Sequence, residues 1–394
     1  MTSAPSTGAR PTLRIAYITK TPLPSTDAAT IQIIQTASAL ARAGASLDLF
    51  FPMGEGERRR PLEALRARLS EHYGAELDFG LRQLRYSSRA LHAVKAGLAA
   101  ASDGYDVLHT RDVQNVLLGL ATGCRVVYES YRTPEGNTPI VKSLLRRAFG
   151  HPRFLGQIIH SRFARERHLE AGYPGQKLRT IYNGFDPAAF ATERSPSEAR
   201  RLLGLPERVT VVYAGRIAPL KRIDLLLAAA RATPELSWVL AGANESAEAR
   251  PFAAQGAALP NVAFLGYLPG PALTPALQAA DILVIPPSAE PLERYGTTVL
   301  PLKIFQYLAA GRPLVVGDVP DTAELLEEGA ACLRVAPEQI DPFIAAIRAL
   351  ATDPERRGQM GETASTLAQG LTWDARARQI ITYLSERLDA IGYR

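Results

Sequence analysis

Two cations of different geometry, Arg216 and Lys221, share one short loop of this sequence. The surrounding stretch VVYAGRIAPLKRIDLLLAAA, Val211 to Ala230, reads as strand, glycine, basic loop and helix. Val211, Val212 and Tyr213 are β-formers and Gly215 closes the run, while Ile223, Leu226, Leu227 and Ala230 recur at helical spacing. In open α/β sheets, ligands bind beyond the carboxyl ends of the strands. A guanidinium fork takes paired oxygens and an ammonium adds a point charge on a flexible stem, so the two together suit a phosphate chain. Two solvated loop cations would produce the same local pattern.

Competing chemistries lack their motifs. No G-x-G-x-x-G follows a strand and no G-x4-G-K-[ST] occurs, which argues against a dinucleotide oxidoreductase and a P-loop kinase. C-x2-C and H-E-x2-H are absent, so zinc is not expected. No D-x-D pair is present to hold a divalent ion against a diphosphate. Arg, Lys and helix N-termini would then meet the negative charge without metal.

Four segments, in order, resemble the large sucrose-synthase-like family of retaining glycosyltransferases with the GT-B fold (family 4 type, glycosyl transferases group 1). Gly215, Arg216 and Lys221 match its G-R-x3-6-K motif. HSRFARERHLEAGYPGQKLRTIYNGFDPAAF, His160 to Phe190, resembles the crossing between the two domains, with N-G-x-D at Asn183 to Asp186. VAFLGYLPGPALTPALQAADILVIPPS, Val262 to Ser288, resembles the base-binding turn, helix and strand. LPLKIFQYLAAGRPLVVGDVPDTAELL, Leu300 to Leu326, resembles the donor-binding helix and the strand after it. The opening ITKTPLPSTDAATIQIIQTASALARAG is nearer to a branch carrying P-x3-A-N-x-I than to the commoner G-G opening.

The resemblance covers nearly the whole chain. It implies an α/β protein of two doubly wound, Rossmann-like parallel-sheet domains facing a cleft. It implies retaining, metal-independent transfer of a sugar to a glycan, lipid or small-molecule acceptor. The donor would be a nucleoside diphosphate sugar, UDP- or GDP-linked, acting as co-substrate with no further cofactor. Arg216 and Lys221 would stabilise the departing diphosphate beside Gly215, and Gly266 and Tyr267 would read the base. Thr298, Val299, Leu300, Lys303 and Gln306 would line the donor site.

Two departures fall there. The family usually places two glutamates seven residues apart, the second opening E-A-M-A-A-G. The matching run is Gln306-Tyr307-Leu308-Ala309-Ala310-Gly311, so an amide stands at the ribose position. The branch reads T-S-P-L-K, whereas this chain has Val299-Leu300-Pro301-Leu302-Lys303. Glu290, with Glu293, could supply the missing carboxylate. In the first domain, Tyr131 stands where many relatives have a histidine near the reacting sugar. His109, in DVLHTRD, ends a strand on the same side, as a cleft group or a packed strand end. Asp27, Arg111 and Ser161 fall on the acceptor side. Alternatives are a nucleotide-sugar epimerase or hydrolase on the same fold, or a nucleotide-sugar-binding protein with weakened chemistry.

The elements that must position these residues alternate along the chain. Strand patterns at Leu13–Thr19, Ser46–Phe51, Val107–Thr110, Val126–Glu129, Gln157–His160 and Leu178–Tyr182 precede six more from Val209 to Arg334. Amphipathic helix patterns lie between them, which implies parallel sheets covered on both faces. The expected division is a disordered tail 1–11, an acceptor-side domain 12–190, a donor domain 191–372, and a helix 373–394 packing back on the first domain. At 394 residues each domain is large enough for its own core. Residues through 190 carry 25 Lys+Arg against 16 Asp+Glu, and the rest carries 20 against 23. The basic excess includes KSLLRRAFGHPR, Lys142 to Arg153, whose Leu144, Leu145, Ala148 and Phe149 form an apolar face. That pattern fits an anionic membrane surface or an acidic acceptor, and equally an ordinary packed helix. The acceptor is accordingly expected to be anionic or lipid-linked, and nucleic acid is not expected. Met1 to Arg10 lacks the apolar core of a signal peptide, so the cytoplasm is expected, with peripheral membrane contact as an option. Cys124 and Cys332 fall in different domains, and free thiols are expected.

Overall fold

A computed structural model describes residues 12–53, 61–84, 89–288, 290, 293 and 300–393. Apolar β-formers alternating with amphipathic helices give two parallel sheets. The first contains β1 (Arg14–Ile18), β2 (Ser46–Pro52), β3 (Gly80–Leu84), β4 (Val107–Thr110), β5 (Val126–Ser130), β6 (Phe154–Ile159) and β7 (Leu178–Thr180), in the order β3-β2-β1-β4-β5-β6-β7. The second contains β8 (Thr210–Ala214), β9 (Ser237–Ala241), β10 (Val262–Gly266), β11 (Ile282–Ile285), β12 (Leu314–Gly317) and β13 (Cys332–Val335), in the order β10-β9-β8-β11-β12-β13. Strand order reverses beside β1 in one sheet and beside β8 in the other. Doubly wound sheets open a ligand crevice at such switch points.

The first half differs from the sequence reading in one place. The segment between β2 and β4, to which the sequence assigns no strand pattern, contains a helix, Leu62–Tyr73, and an edge strand, β3. A second helix in this segment spans Arg89–Ser102. β3 deeply buries only Leu81, so it carries little of the apolar signal that marks the central strands. In the basic helix Pro139–Phe149, Leu145, Ala148 and Phe149 are core residues, so its apolar face is taken up by packing. Among the described residues no helix is long and apolar enough to cross a membrane. Cys332 is buried and Cys124 half-buried, both as free thiols.

The chain passes between the sheets twice. Phe185 and Thr372 pair as a parallel bridge, with Phe185 N donating to Leu371 O at 3.1 Å and Trp373 N donating to Phe185 O at 3.1 Å. Gly184 makes this crossing possible, because a Cβ there would lie 2.4 Å from the Thr372 carbonyl carbon and 2.6 Å from Trp373 N. The final helix, Trp373–Asp389, returns to the first sheet and buries Trp373, Ala377, Ile380, Tyr383, Leu384 and Leu388 in its core.

Loops at the carboxyl ends of the two sheets touch. Glu324, after β12, accepts hydrogen bonds from Arg162 N and Phe163 N, after β6, each at 2.8 Å. Leu302, after β11, packs against the core of the first sheet. Gly74 and Gly270, both in the left-handed region, meet backbone to backbone.

Candidate functional site

β8 ends at a glycine that a side chain could not replace. Gly215 has φ +148°, and a Cβ there would lie 2.5 Å from Lys303 Nζ. The Lys303 ammonium rests 3.9 Å from the centroid of the Tyr213 ring. Tyr213 in turn donates its hydroxyl hydrogen to Arg216 O at 3.0 Å. Burial, then the nearby charge of Lys221, holds Lys303 well below the usual lysine pKa. Desolvation and then Arg216 lower Lys221 in the same sense. Lys221 is exposed as a residue, so the crowding of like charges is the firmer of those two causes. Arg216, Lys221 and Lys303 thus converge on one strand end from two elements. The Arg216 side chain, 69% exposed, pairs with Glu248 at 2.8 Å. Exposed pairs of this kind contribute little, so Arg216 remains available to an anion.

Lys303 is placed by its helix, Lys303–Ala309. Ile304, Phe305, Tyr307 and Leu308 are buried, and the Tyr307 hydroxyl accepts from Ala214 N at 2.7 Å, tying the helix to β8. Gln306, three residues on from Lys303, lies half-buried on the same helical face. Leu300 is 2% exposed and belongs to the core of the second sheet, so it offers no surface to a donor. The Glu290 backbone N donates to Ser288 Oγ at 3.3 Å, and its charge reaches Arg222. Thr298 and Val299 lie outside the described residues. Gly266 closes β10 at φ +70°, and Tyr267 after it is 41% exposed.

The first domain holds a polar network at the carboxyl ends of its central strands. Glu129, on β5, is fully buried and accepts from five side chains. These are Gln32 Nε2, His160 Nε2 and Arg376 Nη2, each at 2.6 Å, His109 Nε2 at 2.8 Å and the Tyr17 hydroxyl at 3.2 Å. Burial would raise the Glu129 pKa, but Arg376 and the hydrogen bonds from His109 and His160 hold it well below the usual carboxylate range. Burial pushes His160 down to about 4, so it is a neutral ring donating through Nε2, with Arg376 as the counter-charge. Arg376 also donates to Ile181 O and Tyr182 O at 2.8 Å each. His109 is fully buried and stacked on Tyr17, and does not face a cleft.

Tyr131 lies just beyond this network. The Arg111 and Arg132 guanidinium carbons stand 5.8 and 5.9 Å from its ring centroid, and the His160 ring stands 6.5 Å away. Ser161 Oγ accepts from Ala164 N at 3.2 Å and so caps a helix. Asp27 precedes the helix Ala28–Arg42, exposed and without a side-chain cap bond.

Glu129, Arg376, Gln32 and Glu324 were not singled out from sequence. One signal existed: a carboxylate inside the strand VVYES, after three largely apolar residues, requires a buried partner. Nothing local pointed to an arginine 247 residues away.

The two facing doubly wound sheets, with cations gathered at the second, define a protein of the GT-B class. A family model described as Glycosyl transferases group 1 matches residues 208–353, and one described as Glycosyltransferase Family 4 matches 29–189. The chain belongs to the group 1 glycosyltransferase family. It is 30% identical over 217 residues to a D-inositol 3-phosphate glycosyltransferase of Kribbella flavida, covering 51% of this chain and 49% of that one. It is 26% identical to the phosphatidyl-myo-inositol mannosyltransferase of Mycolicibacterium smegmatis, covering 76% and 75%. For several of the curated relatives the match spans about half of their length. Anabaena HepE in complex with UDP and glucose superposes with a TM-score of 0.73 at 20% identity, over 95% of this chain and 100% of that one. Sucrose-phosphate synthase of Thermosynechococcus elongatus superposes with a TM-score of 0.76 at 20% identity, over 96% and 100%. These likenesses establish the GT-B fold.

Proposed function

We propose that the protein is a retaining, metal-independent glycosyltransferase that moves a sugar from a nucleoside diphosphate sugar to an acceptor held by the first domain. The observation that carries the reading is the convergence of Arg216, Lys221 and Lys303 at the end of β8. Three crowded cations with one exposed ion pair among them favour a polyanion. The leaving diphosphate gains negative charge as the glycosidic bond breaks, and fixed cations aimed at that charge stabilise the transition state more than the ground state. Front-side transfer with retention needs no protein nucleophile, and loops meeting across the sheets would exclude water. The donor-bound HepE structures support a nucleotide-sugar donor.

The test is product formation from UDP- and GDP-sugars with a panel of acceptors in excess EDTA, with the anomeric configuration read by NMR. Arg216→Ala and Lys221→Ala should each lower turnover by about one to three powers of ten, as loss of one transition-state donor does. Activity within twofold of wild type in both variants, inversion at the anomeric carbon, or recovery only on adding magnesium would overturn the reading.

A further inference from the structure

Two guanidinium groups flank Tyr131, and neither has a carboxylate partner among the described residues. The side chains of Arg14, Arg66, Arg125 and Arg153 likewise donate to backbone carbonyls, while Arg42, Arg82, Arg167 and Arg179 pair with carboxylates. Arg111 instead donates to neutral acceptors, the Gln32 Oε1 at 2.7 Å and the Ala29 O at 3.2 Å. Among the described residues the Arg132 side chain donates to the Gly136 carbonyl, at 3.5 Å. Arg111 is only partly exposed, and a partly desolvated cation without a counter-charge is unfavourable until an anion arrives.

The position of Arg111 is built. Gln32 is 2% exposed, and its amide nitrogen is fixed by Glu129 Oε1 and by Thr36 Oγ1 at 3.0 Å. Its carbonyl oxygen therefore has one orientation, turned to Arg111. Both guanidinium carbons lie within 6 Å of the Tyr131 ring centroid, at 5.8 and 5.9 Å, and a sugar or polyol ring can stack on an aromatic ring.

We infer that Arg111 and Arg132, with Tyr131 between them, form a recognition site for an anionic group on the acceptor, a phosphate ester or a carboxylate. Guanidinium forks match both groups bidentately. The inference rests on the transferase reading above for the word acceptor, and the anion site itself can be tested without it.

Inorganic phosphate, glucose 6-phosphate, glucuronate and glucose are titrated calorimetrically into the full chain, with and without saturating UDP. Phosphate or glucuronate, or both, should bind the UDP-loaded protein, and glucose should bind at least tenfold more weakly. Arg111→Ala and Arg132→Ala should each weaken anion binding at least tenfold and leave the UDP dissociation constant within twofold. A preference for glucose 6-phosphate over glucuronate assigns a phosphate ester, and the reverse assigns a carboxylate. If phosphatidylinositol vesicles bind and the soluble anions do not, and binding falls in both variants, the anion is a lipid headgroup. Anion binding that survives both substitutions, or no anion binding at all, overturns the inference. Failure of UDP to bind would count against the transferase reading alone, because the comparison of wild type with Arg132→Ala in the absence of UDP still reads the anion site.

Discussion

At the scale of the residue, Lys303 is held by an aromatic ring rather than by a carboxylate. Burial and then Lys221 both act against its charge in the free protein and lower its pKa. A bound diphosphate would reverse this, because an anion beside the ammonium favours protonation. The complex then carries more protons than the free protein, so UDP affinity should fall as pH rises from the depressed Lys303 value toward the ordinary lysine value of about 10.4. Calorimetry in buffers of different ionisation enthalpy should show proton uptake on UDP binding. Lys303→Met should abolish the uptake and weaken UDP by about 1.5–3 kcal/mol, the usual range for a charge-assisted bond. Unchanged uptake in that variant would remove Lys303 from the site. Local sequence placed this lysine beside Pro301 and Leu302, but only packing brought it against Tyr213 and into the space that Gly215 leaves open.

At the scale of the element, β5 and the last helix are joined by one buried charge pair. Glu129 and Arg376 are both almost inaccessible, and each also bonds to neutral groups, so the pair is well satisfied. Glu129→Gln leaves Arg376 buried without a counter-charge and should cost about 3–5 kcal/mol of stability. Denaturant midpoints measure this, and Glu129→Gln with Arg376→Met together should cost less than the two changes added. The folded pKa of Glu129 lies below its unfolded value, so this contribution is fully present above about pH 5 and is lost only as pH falls through the depressed folded value. His160, held at about 4, separately lowers stability as pH falls below its unfolded value of about 6.5, so the readout is the difference between wild type and Glu129→Gln, and a difference that vanishes near pH 6 would contradict it.

The interdomain crossing is the other element-scale constraint. Gly184→Ala would force a methyl to 2.4 Å from the Thr372 backbone. Over-packing of that kind costs about 1–3 kcal/mol. The thermal midpoint of the variant should drop while its far-ultraviolet circular dichroism stays native. No change in midpoint would mean that the two crossing segments separate freely. The sequence showed the N-G-x-D motif and not its second strand, because the partner at Thr372 lies far along the chain.

At the scale of the whole molecule, Glu324 ties the two domains. Its carboxylate accepts from two backbone N–H groups at the start of the helix Arg162–Glu170, where the helix dipole favours negative charge. Glu324→Ala removes this contact, and the radius of gyration measured by X-ray scattering should rise while each domain keeps its fold. Closure on adding UDP should then be a larger change than in wild type. An identical radius in both proteins would show that the Gly74–Gly270 contact and the Leu302 packing suffice.

Strand and helix positions followed from periodicity, because parallel strands buried on both faces leave continuous apolar runs such as Val211 to Tyr213. Glycine placement at Gly215 and Gly266, and the cations between β8 and its helix, were also local in sequence. The edge strand β3 was not legible, since an edge buries too little to impose a pattern. Nor was the network around Glu129, whose partners Tyr17, Gln32, His109, His160 and Arg376 come from five separate elements. Short-range pattern reports which face of an element is buried. It carries no record of which distant side chain will supply the counter-charge, and that is decided only when the elements pack and each buried polar group must find a partner.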